Sequence, residues 1–107
     1  MDEGYLRVET TVGSLDEAGR IAEAVVAART AACAQVLGPI TSTYRWQGAV
    51  ERSAEYLVVM KTTAARYPEL EQQLTGLHSY DVPEIVAVPV TAGSPAYLAW
   101  VTAETGS

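Results

Sequence analysis

The chain has one histidine, and it opens a run dense in polar side chains: His78-Ser79-Tyr80-Asp81-Val82-Pro83-Glu84-Ile85. An imidazole, a phenol and two carboxylates fall within seven residues there. Three kinds of chemistry suit such a set. His78 with Asp81 or Glu84 offers nitrogen and oxygen donors to a divalent metal ion. Tyr80, Asp81 and Glu84 can instead form a polar cluster in a cleft or at a subunit contact, with Glu55 and Lys61 of another strand as partners. A hydrolase or isomerase built on the same groups needs a carboxylate with a strongly raised pKa. Against all three stands a conformational reading. Pro83 drives Val82 into extended backbone, so the run joins a helix to a strand. We expect a shaped corner carrying an interfacial hydrogen-bond cluster, with His78 as the residue a metal ion would use.

The other reactive groups are few. Cys33 is the only cysteine, so no internal disulfide forms, in keeping with a reducing compartment. It stands where a helix gives way to a strand, and free cysteine in such a place is usually a small buried hydrophobe. One cysteine and one histidine do not readily assemble a nucleophile, base and orienting group within a single chain. Ser79 adjoins His78, but side chains of sequence neighbours point apart. Lys61 is the only lysine, beside six arginines, and it lies late in an apolar strand. Burying it unpaired would cost several kcal/mol, so we expect Glu55 or Glu84 to hold it. The other option is that it faces an anion in a cleft. Tyr44 and Trp46 share one face of a strand, where large rings with polar tips serve subunit contacts. Gly13 and Gly93 stand alone, so no glycine loop cradles a phosphate.

Seven elements must position these groups. Tyr5 to Val12 is rich in β-branched residues and reads as a strand. Ser14-Leu15-Asp16-Glu17 is a capping box, and Ala18, Ile21, Ala22, Val25 and Val26 recur at helical spacing to about Arg29. A second strand runs from Cys33 to Trp46, interrupted at Pro39, and Gln47-Gly48 makes a turn. A third covers Glu55 to Thr62. Tyr67, Leu70, Leu74 and Leu77 form a second helical stripe, with Pro68 tolerable only in its first turn. Ile85 to Val90 is the fourth strand, placed at a sheet edge by Pro89, which cannot donate to a ladder. Ser94-Pro95 caps a short last helix to about Ala103, and Thr105 to Ser107 reads as a frayed tail. The order β-α-β-β-α-β predicts an α+β, ferredoxin-like sandwich with an additional C-terminal helix. No linker divides it, so one domain spans 1–107. One sheet face is left without helices, and burying it by oligomerisation is the simplest solution.

Bulk composition narrows the partners. With 49% hydrophobic and 19% charged residues the chain is too apolar to be disordered. A formal net charge of −6 argues against nucleic acid and acidic membrane as partners, since both need a basic face. The start, MDEGYLRVETTV, lacks a basic segment followed by an apolar one, and no apolar run spans a bilayer. A cytoplasmic location is expected.

Five segments then fall together: Ala31-Ala32-Cys33-Ala34, Ser42-x-Tyr44-x-Trp46-x-Gly48, Glu55 with Lys61-Thr62, His78-x-Tyr80-Asp81-x-Pro83-Glu84-Ile85, and Gly93 with Tyr97-Leu98-x-Trp100. In this order and spacing the chain resembles the CutA family of divalent-cation-tolerance proteins over nearly its whole length. The resemblance implies a ferredoxin-like protomer, similar to PII signalling proteins and joined through its sheets into a stable homotrimer. It also implies a role in tolerance of divalent ions, copper foremost, and no enzymatic activity. Family copper ligands are proposed to be a cysteine ending the first strand and two adjacent histidines. The matching positions here hold Thr10, Leu77 and His78. One imidazole without a thiolate is a poor site for a soft metal, so copper binding is expected to be weak. The PII likeness implies an alternative, a sensor holding a small anionic ligand in an inter-subunit cleft near Lys61.

Overall fold

The protein is described by a computed structural model covering residues 4–106. Its elements in chain order are β1 (Tyr5–Val12), α1 (Leu15–Ala27), β2 (Cys33–Trp46), β3 (Ala49–Thr63), α2 (Tyr67–Leu77), β4 (Val86–Pro89) and α3 (Pro95–Glu104). The four strands make one antiparallel sheet in the order β2-β3-β1-β4. This is the ferredoxin-like arrangement with an added helix.

Strand alternation divides the sheet into two faces. Val8 and Val12 of β1 and Val58 and Met60 of β3 point to the side of α1 and α2, where they meet Ile21, Val25, Leu70 and Leu74 in the buried core. The opposite face carries Arg7, Glu9, Thr11, Leu57, Lys61, Val86 and Val88, as the register requires. Helix α3 lies against one end of that face: Tyr5 Oη is 2.6 Å from Thr102 Oγ1, and Cys33 Sγ is 3.5 Å from Tyr97 Oη. The rest is open, with Leu37 and Val88 each half exposed.

Several boundaries differ from expectation. Helix α1 stops at Ala27, and Arg29 takes a left-handed φ of 62°. From there its guanidinium donates to the carbonyls of Ala103 (2.7 Å) and Gly106 (2.9 Å) at the end of α3. Those bonds, with Thr105 buried, mean that Thr105 and Gly106 are held and not frayed. Ser107 lies outside the described residues. Strand β3 begins at Ala49, six residues before the expected Glu55. Its first part pairs only with β2, so it has no buried face to announce it.

The interruption at Pro39 is a bulge. Leu37 pairs with Leu57 but Ile40 pairs with Glu55, so Gly38 and Pro39 together face Tyr56. Gly38 has φ 149°, and a Cβ there would lie 2.7 Å from the Tyr56 ring. Beyond the bulge the even residues of β2 share a face with the odd residues of β3, which sets Tyr44 across from Glu51. Gln47 (φ 50°) and Gly48 (φ 83°) close the hairpin with the two left-handed residues that a tight I′ loop requires. Strand β4 pairs with β1 alone at the sheet edge, and Pro89 is its last residue.

Candidate functional site: an acidic, aromatic cleft at the end of the sheet

The segment after α2 folds over the end of β1, and two anchors hold it. Ser14 caps α1 by accepting the Glu17 amide at 3.1 Å, as the capping box predicts. The reciprocal half is absent. The buried Glu17 carboxylate accepts instead from the Ser79 amide and hydroxyl, both at 3.0 Å. His78 is the second anchor, its side chain fully enclosed. Its Nε2 lies 2.8 Å from the Thr11 carbonyl oxygen, and its Nδ1 lies 3.1 Å from the Tyr80 amide nitrogen. A carbonyl only accepts and an amide N–H only donates. Nε2 therefore carries the proton, and the Nδ1 lone pair is engaged. In this arrangement both ring nitrogens are engaged with the backbone, and His78 serves as a brace.

The brace positions Tyr80. Its ring lies 4.8 Å from the imidazole, and its hydroxyl donates to Glu55 Oε2 at 2.7 Å. Burial, and next the Glu55 carboxylate, push the Tyr80 phenol well above its usual value. Thr11 Oγ1 donates to Glu84 Oε1 at 3.5 Å, and Tyr44 Oη lies 3.3 Å from Ser53 Oγ. These groups line a cleft of about 670 Å³, whose walls include Tyr44, Trp46, Glu51, Glu55, Tyr80, Asp81 and Glu84. Among the described residues four carboxylates border it and no lysine or arginine does.

Of the sequence-predicted cluster, Glu55, Tyr80, Asp81 and Glu84 come together here, joined by the aromatic pair Tyr44 and Trp46. Lys61 does not. It lies six residues along β3 from Glu55, roughly 20 Å at strand rise. Among the described residues it has no carboxylate partner, and its Nζ reaches Gln35 Oε1 at 3.5 Å. The nearby Glu9 is taken by Arg7 at 2.9 Å. The expected ion pair is therefore corrected to a weak polar contact. Cys33 is at the α3 end of the sheet, where its contact and burial raise the Tyr97 phenol to about 12. Sequence reasoning missed Thr11, Glu51 and Ser53, which share the open face with Glu55 through the alternation of β1 and β3; the bulge brings Tyr44 and Trp46 of β2 to the same face.

The residues that the resemblance sets at metal-ligand positions do not suit Cu(II). Thr10 is wholly buried and its Oγ1 finds no hydrogen-bond partner. Leu77 ends α2 as a half-exposed hydrocarbon. Among the described residues no three His, Cys, Asp or Glu side chains are grouped to hold a metal ion. No helix is long and apolar enough to cross a membrane.

Comparison with known proteins agrees with this architecture. The family model described as CutA1 divalent ion tolerance protein matches residues 6–104. The chain is 45% identical over 96 residues to the divalent-cation tolerance protein CutA of Thermus thermophilus, covering 90% of this chain and 93% of that one. It is 35% identical over 94 residues to the chloroplastic protein CutA of Arabidopsis thaliana, covering 88% of this chain and 52% of the plant protein. It thus spans about half the length of that relative. The solved structure of the Thermus thermophilus divalent cation tolerance protein superposes with a TM-score of 0.93 at 43% identity, over 95% of this chain and 99% of that one. The chain belongs to the CutA1 divalent ion tolerance protein family.

Proposed function

We propose that the chain acts in divalent-cation tolerance as a cytoplasmic homotrimer, by binding and not by catalysis, and that the acidic cleft is where cations are met. The observation that carries this reading is the charge of the cleft. Glu51, Glu55, Asp81 and Glu84 border it, and no basic residue among the described residues does, so its potential attracts cations and repels anions. Cu(II) then binds weakly through carboxylate oxygens, because His78 is spent on Thr11 and Tyr80. The anion-sensor alternative has less support, since Lys61 lies roughly 20 Å from Glu55 along its strand.

Trimerisation is supported by what one protomer leaves uncovered. Leu37, Val86 and Val88 stand exposed on the face opposite α1 and α2. The β2–β3 ribbon also runs past the last β1 pairing, Val12 with Tyr56, and an unsupported two-stranded ribbon is marginal in water. Tyr44 and Trp46 are on that ribbon, each about two-fifths exposed. Sedimentation equilibrium at micromolar concentration is expected to give three times the chain mass. Calorimetric titration with Cu(II) and Mn(II) is expected to show weak binding that Glu51→Gln with Glu84→Gln reduces several-fold. A monomer, or binding untouched by the two substitutions, would overturn the reading.

A further inference from the structure

We propose that His78 and Glu17 form a proton-operated latch on the segment that carries Tyr80. A neutral imidazole keeps it closed; a protonated one opens it and lets Tyr80 leave Glu55. The latch acts on the segment and not on a ligand, so it stands whether or not cations bind in the cleft.

The first observation is how the segment is held. Residues 78–85, between the end of α2 at Leu77 and the start of β4 at Val86, belong to no helix or strand. A backbone amide normally bonds a carbonyl, which accepts at any pH. The amides of Ser79 and Tyr80 have no backbone acceptor among the described residues. Each relies on a side chain that titrates: Ser79 donates to Glu17 Oε2 at 3.0 Å, and Tyr80 to His78 Nδ1 at 3.1 Å. The Ser79 hydroxyl donates to the other Glu17 oxygen at 3.0 Å.

The second observation is the setting of the ring. Its Nε2 donates to the Thr11 carbonyl, so Nδ1 is the position that takes a proton from solvent. Protonation turns Nδ1 from acceptor to donor. Its N–H then faces the N–H of Tyr80, and that bond is lost. Glu17 Oε2 lies 4.0 Å from Nδ1, beyond hydrogen-bond reach, so pairing with the imidazolium draws the carboxylate away from Ser79. Both amides lose their partners together, the segment moves, and the Tyr80 hydroxyl leaves Glu55 Oε2, now 2.7 Å away. The other ionisable groups around this corner are acids and phenols. Glu55 of β3 meets it through Tyr80, Glu84 reaches Thr11 Oγ1 at 3.5 Å, and Asp81 follows in the segment itself. The acids of α2 are taken elsewhere, Glu69 by Arg66 and Glu71 by Tyr67. Among the described residues no lysine or arginine pairs with Glu17, so the imidazolium has no competitor for it.

The test follows the isotope-labelled, assembled protein by NMR between about pH 8 and pH 5.5, the span in which imidazoles ordinarily take their proton. The ring nitrogens report protonation of His78, the Ser79 and Tyr80 amides report the latch, and the Glu55 carboxyl carbon reports departure of the Tyr80 hydroxyl. All are expected to shift along one curve with a shared midpoint. In His78→Asn, whose side-chain oxygen accepts from Tyr80 but takes no proton, both amides should hold their shifts across the range. In Glu17→Gln, which keeps an acceptor for Ser79 without the charge, ring protonation should still move Tyr80 and leave Ser79 in place. A ring that stays neutral throughout, or one that protonates while both amides hold, would overturn the proposal. Movement that persists in His78→Asn would also overturn it, by tracing the change to the carboxylates. Should His78→Asn fail to fold, Glu17→Gln decides: Ser79 moving there as it does in the parent protein removes the latch.

Discussion

At the scale of single residues, the site turns on which atoms are already spoken for. His78 sits in the densest chemical motif of the chain, yet both ring nitrogens serve the backbone. Its partner Thr11 is 67 positions away, so no reading of the local run reveals the engagement. The same holds for Glu17, whose place in a capping box was legible while its bonds to Ser79 were not. Thr10 shows the converse, a buried hydroxyl without a partner. An orphan of that kind costs about 1–3 kcal/mol. Thr10→Val, of nearly the same shape, should therefore raise stability by about 1 kcal/mol, read as a higher denaturant midpoint at unchanged slope. Tyrosine ionisation gives a second prediction. Burial, and then Glu71, raise Tyr67 to about 12, and the contact with Cys33, and then burial, raise Tyr97 to about 12. Free tyrosine ionises near 10. The neutral phenols are thus favoured in the folded state, and their contribution is whole below pH 10 and is lost as pH climbs to about 12. Absorbance titration should show those two phenolates appearing about two units late, with the melting temperature falling across the same interval. Normal ionisation near 10 would contradict this.

At the scale of elements, the bulge in β2 decides the composition of the cleft. By continuing the alternation from Cys33, Tyr44 and Trp46 would fall on the face of α1 and α2. The double opposition of Gly38 and Pro39 to Tyr56 reverses them onto the face of Thr11 and Glu55. Pro39 marked the break in the sequence, but a break alone does not say whether one residue is inserted or none, so the cleft could not be assembled from the pattern. Gly38 is required by the turn of the chain there. With φ 149° and only 2.7 Å between an added Cβ and the Tyr56 ring, Gly38→Ala should destabilise the protein by at least 2 kcal/mol, roughly, and splay the ribbon. The measurement is thermal unfolding together with loss of the Tyr44–Glu51 cross-strand contact by NMR. The edge placement of β4 and the two amphipathic helices were legible, because Pro89 and the spacing of Leu70 and Leu74 reflect burial directly. The first half of β3 was not, since Glu51, Arg52 and Ala54 are exposed and leave no alternating signature.

At the scale of the whole molecule, the protomer is elongated, 44 × 25 × 22 Å, with α3 closing one end of the open face and the cleft at the other. The net charge of −6 is echoed in the cleft, which four acids border. The central claim is that cations meet carboxylate oxygens there and not the imidazole of His78. Because the chain holds a single histidine, electron paramagnetic resonance of the Cu(II)-loaded protein tests that claim most directly. An oxygen-ligated spectrum without imidazole nitrogen coupling is expected, unchanged in His78→Ala. A spectrum carrying imidazole nitrogen coupling that disappears in His78→Ala would contradict it.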